Sequence, residues 1–230
     1  MVPGVCHGGW CFDQLTEQLR RHGHRVLPLT LTGVAERGHL RHTLVNLDTH
    51  IQDVTAVLEA ENIRDAILLG HSYGGMVITG AADRAPDRVD SLVYVDATVP
   101  EHGDSCFRLV TDRERQWYLD VDDTGTAFRP LPFFDPRATP HPLASVLQPL
   151  KLTTDLAHIR HRTYIYATGW ETPSPFTEVY QRLRNDTAWS THALEGGHNL
   201  MRDAPDDLPK ILLDLVASES APDAAPSSTR

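Results

Sequence analysis

The chain has 230 residues, enough for one domain with a sizeable core. Hydrophobic residues make up 40% and charged residues 23%, the balance of a soluble globular protein, and no apolar run approaches the roughly 18 residues of a membrane span. A formal charge of −10 argues against a nucleic-acid surface, and the odd, unpatterned set Cys6, Cys11 and Cys106 fits reduced thiols rather than a disulfide framework.

The opening Met1-Val2-Pro3-Gly4 shows no basic segment followed by an apolar stretch, so a cytoplasmic location is expected. Met1-Val2 reads as the remnant of a strand expected before Pro3; either the true start lies upstream or an edge of the sheet is missing. The turn Gly4-Val5-Cys6-His7-Gly8-Gly9-Trp10 then opens a helix over 10–22, with Phe12, Leu15 and Leu19 at helical spacing and Gly23 to end it. Residues 24–29 read as a strand, and 30–45 as a long connection rich in Gly, Thr and His. A second helix follows from Asp48, its N-cap, with Ile51, Val54, Val57 and Leu58 on one face.

Next comes Gly70-His71-Ser72-Tyr73-Gly74, which reads G-x-S-x-G. The apolar run 65–69 before it is a buried strand, and 76–82 after it continues as a helix until Pro86. A strand, a tight Gly-flanked turn and a helix make a nucleophile elbow, which lifts the Ser72 hydroxyl out of the sheet. The flanking glycines are expected to let the backbone take a strained turn that a Cβ would obstruct. The N–H of Tyr73, directly after the nucleophile, and that of Val5 in the opening loop are the candidate pair for an oxyanion hole.

Residues 89–95 form another apolar run, ending in Asp96. Between 100 and 156 the pattern breaks: prolines 130, 132, 136, 140, 142 and 149 punctuate a stretch holding Phe107, Trp117, Tyr118, Phe128, Phe133 and Phe134. An insertion this long in a compact domain reads as a cap over the sheet, with an apolar underside. Regular alternation resumes with a strand at 163–168, a helix at 176–183, a strand at 187–194 and a closing helix at 207–216; the Ser-, Ala- and Pro-rich tail 218–230 is expected to be disordered. The division is therefore a core of 1–99 and 157–217 with a cap of 100–156. The fold class is α/β, a mostly parallel sheet with helices on both faces.

A serine hydroxyl needs a base to take its proton and a carboxylate to orient that base. Glu195-Gly196-Gly197-His198-Asn199 stands between the last strand and the closing helix, and its glycines allow a turn that swings His198 toward Ser72. Asp96, at the end of the strand after the elbow helix, is the candidate acid; Glu171 is its rival.

The segments Gly4 to Trp10, Gly70 to Met76 and Gly197-His198 resemble the α/β-hydrolases. The group most similar is that of small plant methylesterases, such as the salicylate-binding esterase, with the hydroxynitrile lyases and bacterial esterase relatives. The resemblance runs from Pro3 to about Val216, specific in the opening loop and elbow and loose in the cap. It implies Ser72 as nucleophile, His198 as base, and Val5 and Tyr73 as the oxyanion hole. Those enzymes carry the acid within a Thr-Glu-Asp-like segment, whereas here Ala167-Thr168-Gly169-Trp170-Glu171-Thr172 puts Trp170 on that position. One subgroup of haloalkane dehalogenases instead places a carboxylate at the strand end occupied here by Asp96, in a similar Tyr-x-Glu-Ala context. The acid has moved from one strand end to its neighbour.

Relatives with an aspartate nucleophile are set aside by Ser72, and the lyases' usual Lys and Thr are replaced here by Asn199 and Gly4. The expectation is a serine hydrolase of the carboxylesterase kind, cleaving a small, largely apolar ester; a lactone or thioester is a variant. The alternatives are a hydroxynitrile-lyase-like reaction on the same triad and a small-molecule receptor with vestigial activity. His7, Trp117, Phe133, Phe134 and Trp170 are candidates to line the substrate pocket. No cofactor, metal, nucleic acid or membrane is expected, since the histidines lack ligand spacing. A homodimer is compatible with the sequence.

Overall fold

A computed structural model of the chain describes residues 1–41, 44–170 and 174–219. Its helices are α1 Asp13–Arg21, α2 Leu47–Ala60, α3 Gly74–Arg84, α4 Cys106–Leu109, α5 Asp112–Tyr118, α6 Leu143–Leu147, α7 Thr177–Leu183, α8 Leu200–Asp203 and α9 Asp207–Glu219. The strands are β1 Ala66–His71, β2 Val89–Val95, β3 Ala127–Phe128, β4 His141–Pro142, β5 His161–Ala167 and β6 Ser190–Leu194. Four of them form one sheet in the order β1-β2-β5-β6, every pair parallel.

Parallel strands need crossovers, and these place helices on both faces, so central strands bury both sets of side chains. Every residue of β2 is buried. Side chains alternate across the strands: Leu68, Leu92, Tyr94 and Tyr164 join one core with Ile51 and Val54 of α2 and Ile78 of α3. Leu69, Val93, Val95 and Ile165 join the other, with Leu15 of α1 and Leu208 and Leu212 of α9. Each such side chain contributes roughly 1.5–3 kcal/mol when fully buried.

Several boundaries differ from the sequence reading. Residues 24–29 form no strand, although Met1 donates to Leu27 O at 2.8 Å and Leu29 donates to Met1 O at 2.9 Å. Val2 in turn makes a single parallel bridge to Gly70. One bridging residue on each side gives the hydrogen bonds of a ladder without its length. The cap of α2 is Asn46, whose side chain accepts from Thr49 N at 3.1 Å in a reciprocal box; Asp48 instead pairs with Arg84 and Gln148. The closing helix continues to Glu219, so Ser218 lies within it rather than in the tail; 220–230 fall outside the described residues.

The segment 100–156 holds α4, α5, a two-stranded β3–β4 pair and α6, elements too short for periodicity to reveal. Its ends meet, Gly103 N donating to Leu150 O at 2.8 Å and Leu150 N to Asp104 O at 2.7 Å. Asp83, at the end of α3, anchors the following turn by accepting from Thr153 N and Oγ1 and from Thr154 N and Oγ1, at 2.8–3.1 Å. Burial pushes the Asp83 carboxyl up, but the bonds from Thr154 and Thr153 outweigh it and hold its pKa below the ordinary value. Asp83→Ala is expected to cost about 2–3 kcal/mol in urea denaturation at pH 7. A depressed folded pKa stabilises above the unfolded value of about 3.9 and is lost as pH falls through the folded one, so the gap to wild type should narrow below about pH 4. An equal gap at all pH values would show that the ionised carboxylate is not what holds the turn.

Candidate active site

Because β1, β2 and β5 run parallel, the residues that follow them gather at one edge of the sheet. Ser72 follows β1 and starts the turn into α3. Its φ of 55° puts a non-glycine residue in the left-handed region, a strained conformation costing of order 1–3 kcal/mol. Hydrogen bonds on both sides hold it there: Ser72 N donates to Val95 O at 3.3 Å, and Thr98 N donates to Ser72 O at 3.2 Å. The left-handed strain therefore sits on the serine itself. Its flanking glycines are required by contact, as the sequence reading expects. A Cβ on Gly74 would lie 2.4 Å from Val2 O, and one on Gly4 would lie 3.3 Å from Ser72 Oγ and 3.1 Å from His71 Nδ1. The opening loop can come this near the hydroxyl only as glycine.

Asp96 follows β2, with a φ of 41° that turns the chain out of the strand. Its side chain is fully buried and surrounded by donors. Oδ1 accepts from Ala167 N at 3.2 Å, and Oδ2 accepts from Trp170 Nε1 at 2.9 Å and from His198 Nδ1 at 2.7 Å. A buried carboxylate is tolerated only when its oxygens are hydrogen-bonded in this way. Since a carboxylate accepts, the His198 proton sits on Nδ1, and the neutral ring keeps its lone pair on Nε2.

His198 is placed by the turn after β6. Gly196 takes a φ of 152°, Gly169 N donates to Gly196 O at 2.8 Å, and Gly197 N donates to Asp203 Oδ2 at 3.1 Å. His71 holds the same turn from below, its Nε2 donating to His198 O at 2.9 Å with the two rings 4.5 Å apart. Burial, then the neighbouring His198, keeps the His71 imidazole well below its ordinary pKa and so neutral. Trp170 lies against the His198 ring at 5.0 Å, and Phe176 stacks on it at 5.6 Å and 19°.

The structure thus brings Asp96 and His198 into contact and seats Ser72 beside the loop that carries Val5. Tyr73 is the N-cap residue of α3 and Val5 is buried in the opening loop. His7 donates from Nδ1 to Val5 O at 2.8 Å, and Phe134 of the 100–156 segment packs 5.0 Å from its ring. Burial lowers the His7 pKa. Trp170, an expected pocket residue, donates its indole N–H to Asp96. Trp117 packs within the segment, against Tyr118, Phe128 and Phe134, and donates to Arg129 O at 2.8 Å. Phe133 is 73% exposed, so it does not line a buried pocket; its neighbour Phe134 turns inward in its place. Glu171, the rival acid, lies outside the described residues.

Sequence reasoning missed His71, hidden as the free position of G-x-S-x-G, and Phe176, a lone aromatic after Pro173-Ser174-Pro175. Neither carries a periodic signal. Among the described residues no group of three or more His, Cys, Asp or Glu could hold a metal ion, and no helix is long and apolar enough to cross a membrane.

Comparison with known proteins adds a second line of evidence. The model of the alpha/beta hydrolase family matches residues 1–209. The chain belongs to that family. A carbendazim hydrolyzing esterase from Nocardioides sp. (strain SG-4G) is 39% identical to this hydrolase over 234 residues, covering 92% of this chain and 96% of the relative. Salicylic acid-binding protein 2 of Nicotiana tabacum is 28% identical over 254 residues, covering 94% and 95%. Among solved structures, a pyrethroid hydrolase from Sphingobium faniae superposes with a TM-score of 0.77 at 20% identity, over 94% of this chain and 96% of that one. A methylesterase from Arabidopsis superposes at 0.71 and 21%, over 94% and 97%. These two share the fold. With the family match and the named esterases among its curated relatives, this alpha/beta hydrolase is a serine hydrolase of the carboxylesterase type.

Proposed function

We propose that this hydrolase cleaves a small, largely apolar carboxylic ester through an acyl-enzyme, without a cofactor. The observation that carries the reading is the 2.7 Å contact from His198 Nδ1 to the buried Asp96 carboxylate, at the sheet edge that also presents Ser72. Ser72 Oγ attacks the ester carbonyl carbon while its proton passes to His198 Nε2. Negative charge on the carbonyl oxygen is met by the N–H groups of Val5 and Tyr73. The carbon–oxygen bond to the alcohol then breaks, and the proton on Nε2 goes to the departing oxygen. Water repeats the sequence on the acyl-Ser72, giving up a proton to Nε2, and Ser72 recovers one as the acid leaves.

The aromatic surroundings support an apolar substrate. Phe176 and Trp170 flank the His198 ring, and Phe134 approaches the opening loop beside His7. The relative from Nocardioides is named an esterase that hydrolyses carbendazim, which supports an ester-cleaving reaction.

A panel of methyl esters of increasing acyl length, run beside p-nitrophenyl esters of the same acids, tests the class directly. Hydrolysis is expected to be fastest for small apolar acyl groups and to survive strong chelators. Activity lost to chelation and restored by zinc would overturn the metal-free reading. Within that panel, Phe134→Ala should reorder the esters by about tenfold, the scale of a lost apolar pocket contact. Phe133→Ala, on the solvent side, should leave the order alone. The opposite pattern would move the pocket away from the His7 side.

A further inference from the structure

Beneath the candidate oxyanion hole lies a second set of buried polar groups that the reaction above does not use. Cys6, His50, Tyr73, His141 and Ser145 are each at most 1% exposed. They come from four separated parts of the chain: the opening loop, α2, the elbow, and the β4–α6 stretch of the 100–156 segment. His141 approaches the Tyr73 ring edge-on at 5.1 Å and the His50 ring at 5.5 Å.

Donors and acceptors fix both imidazole tautomers and both hydroxyl protons in this set. Thr32 O is a carbonyl, so His50 Nε2 donates to it at 2.9 Å, and His50 Nδ1 accepts from the Tyr73 hydroxyl at 2.9 Å. Ser145 Oγ donates to Pro142 O at 2.7 Å and accepts from His141 Nε2 at 2.9 Å. The remaining lone pair of His141, on Nδ1, accepts the backbone N–H of Cys6 at 3.2 Å. Burial drives the His50 pKa down to about 4 and that of His141 well below the ordinary range, so both rings stay neutral and keep these tautomers.

The two ends of the set fall beside the two candidate oxyanion donors. Cys6 directly follows Val5 and holds a left-handed φ of 66°, unusual for a residue with a side chain. Its N–H is engaged by His141, and its carbonyl accepts from Thr139 N at 3.0 Å. Both partners belong to the 100–156 segment. Tyr73 carries the other donor on its backbone and is tied down by its own hydroxyl.

We propose that His141 is a positioning residue of the oxyanion hole: by accepting the Cys6 N–H it holds the left-handed turn that aims the Val5 N–H at the reacting carbonyl oxygen. The 100–156 segment then contributes to turnover as well as to substrate choice. The inference rests on the reading that Val5 and Tyr73 form the hole. It predicts that losing the acceptor slows the chemical step without weakening substrate binding, because the hole meets charge that develops only in the transition state.

The two amides at position 141 separate acceptor from volume. In His141→Asn the side-chain oxygen reaches about where Nδ1 stands and can take the Cys6 N–H; in His141→Gln the oxygen reaches toward Ser145 instead. His141→Phe fills the space with no acceptor. Expected values of kcat on the preferred ester are within about tenfold of wild type for Asn and lower by about 10² for Gln and Phe, the scale of one lost oxyanion donor, with KM within about threefold throughout. Labelling of Ser72 by a fluorophosphonate should slow in the same order. If Phe does not fold, as judged by thermal melting, Asn against Gln carries the test. Equal kcat in Asn and Gln, or a loss confined to KM, overturns the proposal. Ser72→Ala is assayed alongside. Activity lost there while the position-141 variants match wild type removes His141 alone, whereas activity kept in Ser72→Ala removes the reading of the site and this inference with it.

Discussion

Asp96→Asn is expected to lower turnover by about 10⁴ while the fold is kept, the loss seen when a triad carboxylate becomes an amide. The cause is the tautomer of His198. The carboxylate oxygens accept three N–H groups, from Ala167, Trp170 and His198. An amide has one oxygen to offer and two hydrogens of its own. If the oxygen takes the Oδ1 position beside Ala167, the NH2 stands at the Oδ2 position, faces His198 Nδ1 and favours the ring with its proton on Nε2, which cannot accept from Ser72. If the oxygen stays at the Oδ2 position that His198 and Trp170 share, the NH2 opposes the Ala167 N–H. Trp170→Phe removes one donor and no charge, so its effect should be smaller, about tenfold to a hundredfold in kcat. Glu171→Gln should change turnover by less than about tenfold, a barrier change under ~1.4 kcal/mol. The kcat values of the three variants on one ester, with melting temperatures as controls, decide the matter. The reverse ranking would hand the acid's role to Glu171, and two mild carboxyl effects would indicate a Ser–His dyad.

Asp96, the proposed acid, was legible in the sequence only as a candidate. The Trp on the family's usual acid position was visible in the sequence, as was a carboxylate at the neighbouring strand end. What could not be read was that the indole N–H reaches across to hold that carboxylate, a contact 74 positions apart. The elbow was legible because it is local: strand, turn and helix are contiguous, and the apolar runs flanking Ser72 mark their own periods. The parallel sheet followed from strands alternating with helices. The fate of 24–29 depended on how many partner residues lay beside it, a tertiary fact. The short elements of 100–156 fall below the length at which periodicity is informative, and the turn of Phe134 inward past an exposed Phe133 has no pattern behind it. The His50–Tyr73–Ser145–His141–Cys6 set was equally hidden. Each histidine was one of 13 in the chain, and only the fold brings positions 50 and 141 together.

The most direct test of the account is whether Ser72 carries the acyl group. Its hydroxyl stands on a strained turn beside Gly4, and the proposed base, His198, is hydrogen-bonded to the buried Asp96 carboxylate. Removing the serine of such a unit costs about 10⁶ in turnover, leaving only what binding and the oxyanion donors provide. The measurement is intact-mass spectrometry of the wild-type protein and of Ser72→Ala after exposure to a fluorophosphonate, with peptide mapping of the adduct and ester turnover followed in parallel. The account predicts a single adduct on the wild type that maps to Ser72, no adduct on Ser72→Ala, and ester hydrolysis falling by about 10⁶ in the variant. Labelling at another residue, or ester hydrolysis in Ser72→Ala within tenfold of wild type, would contradict it.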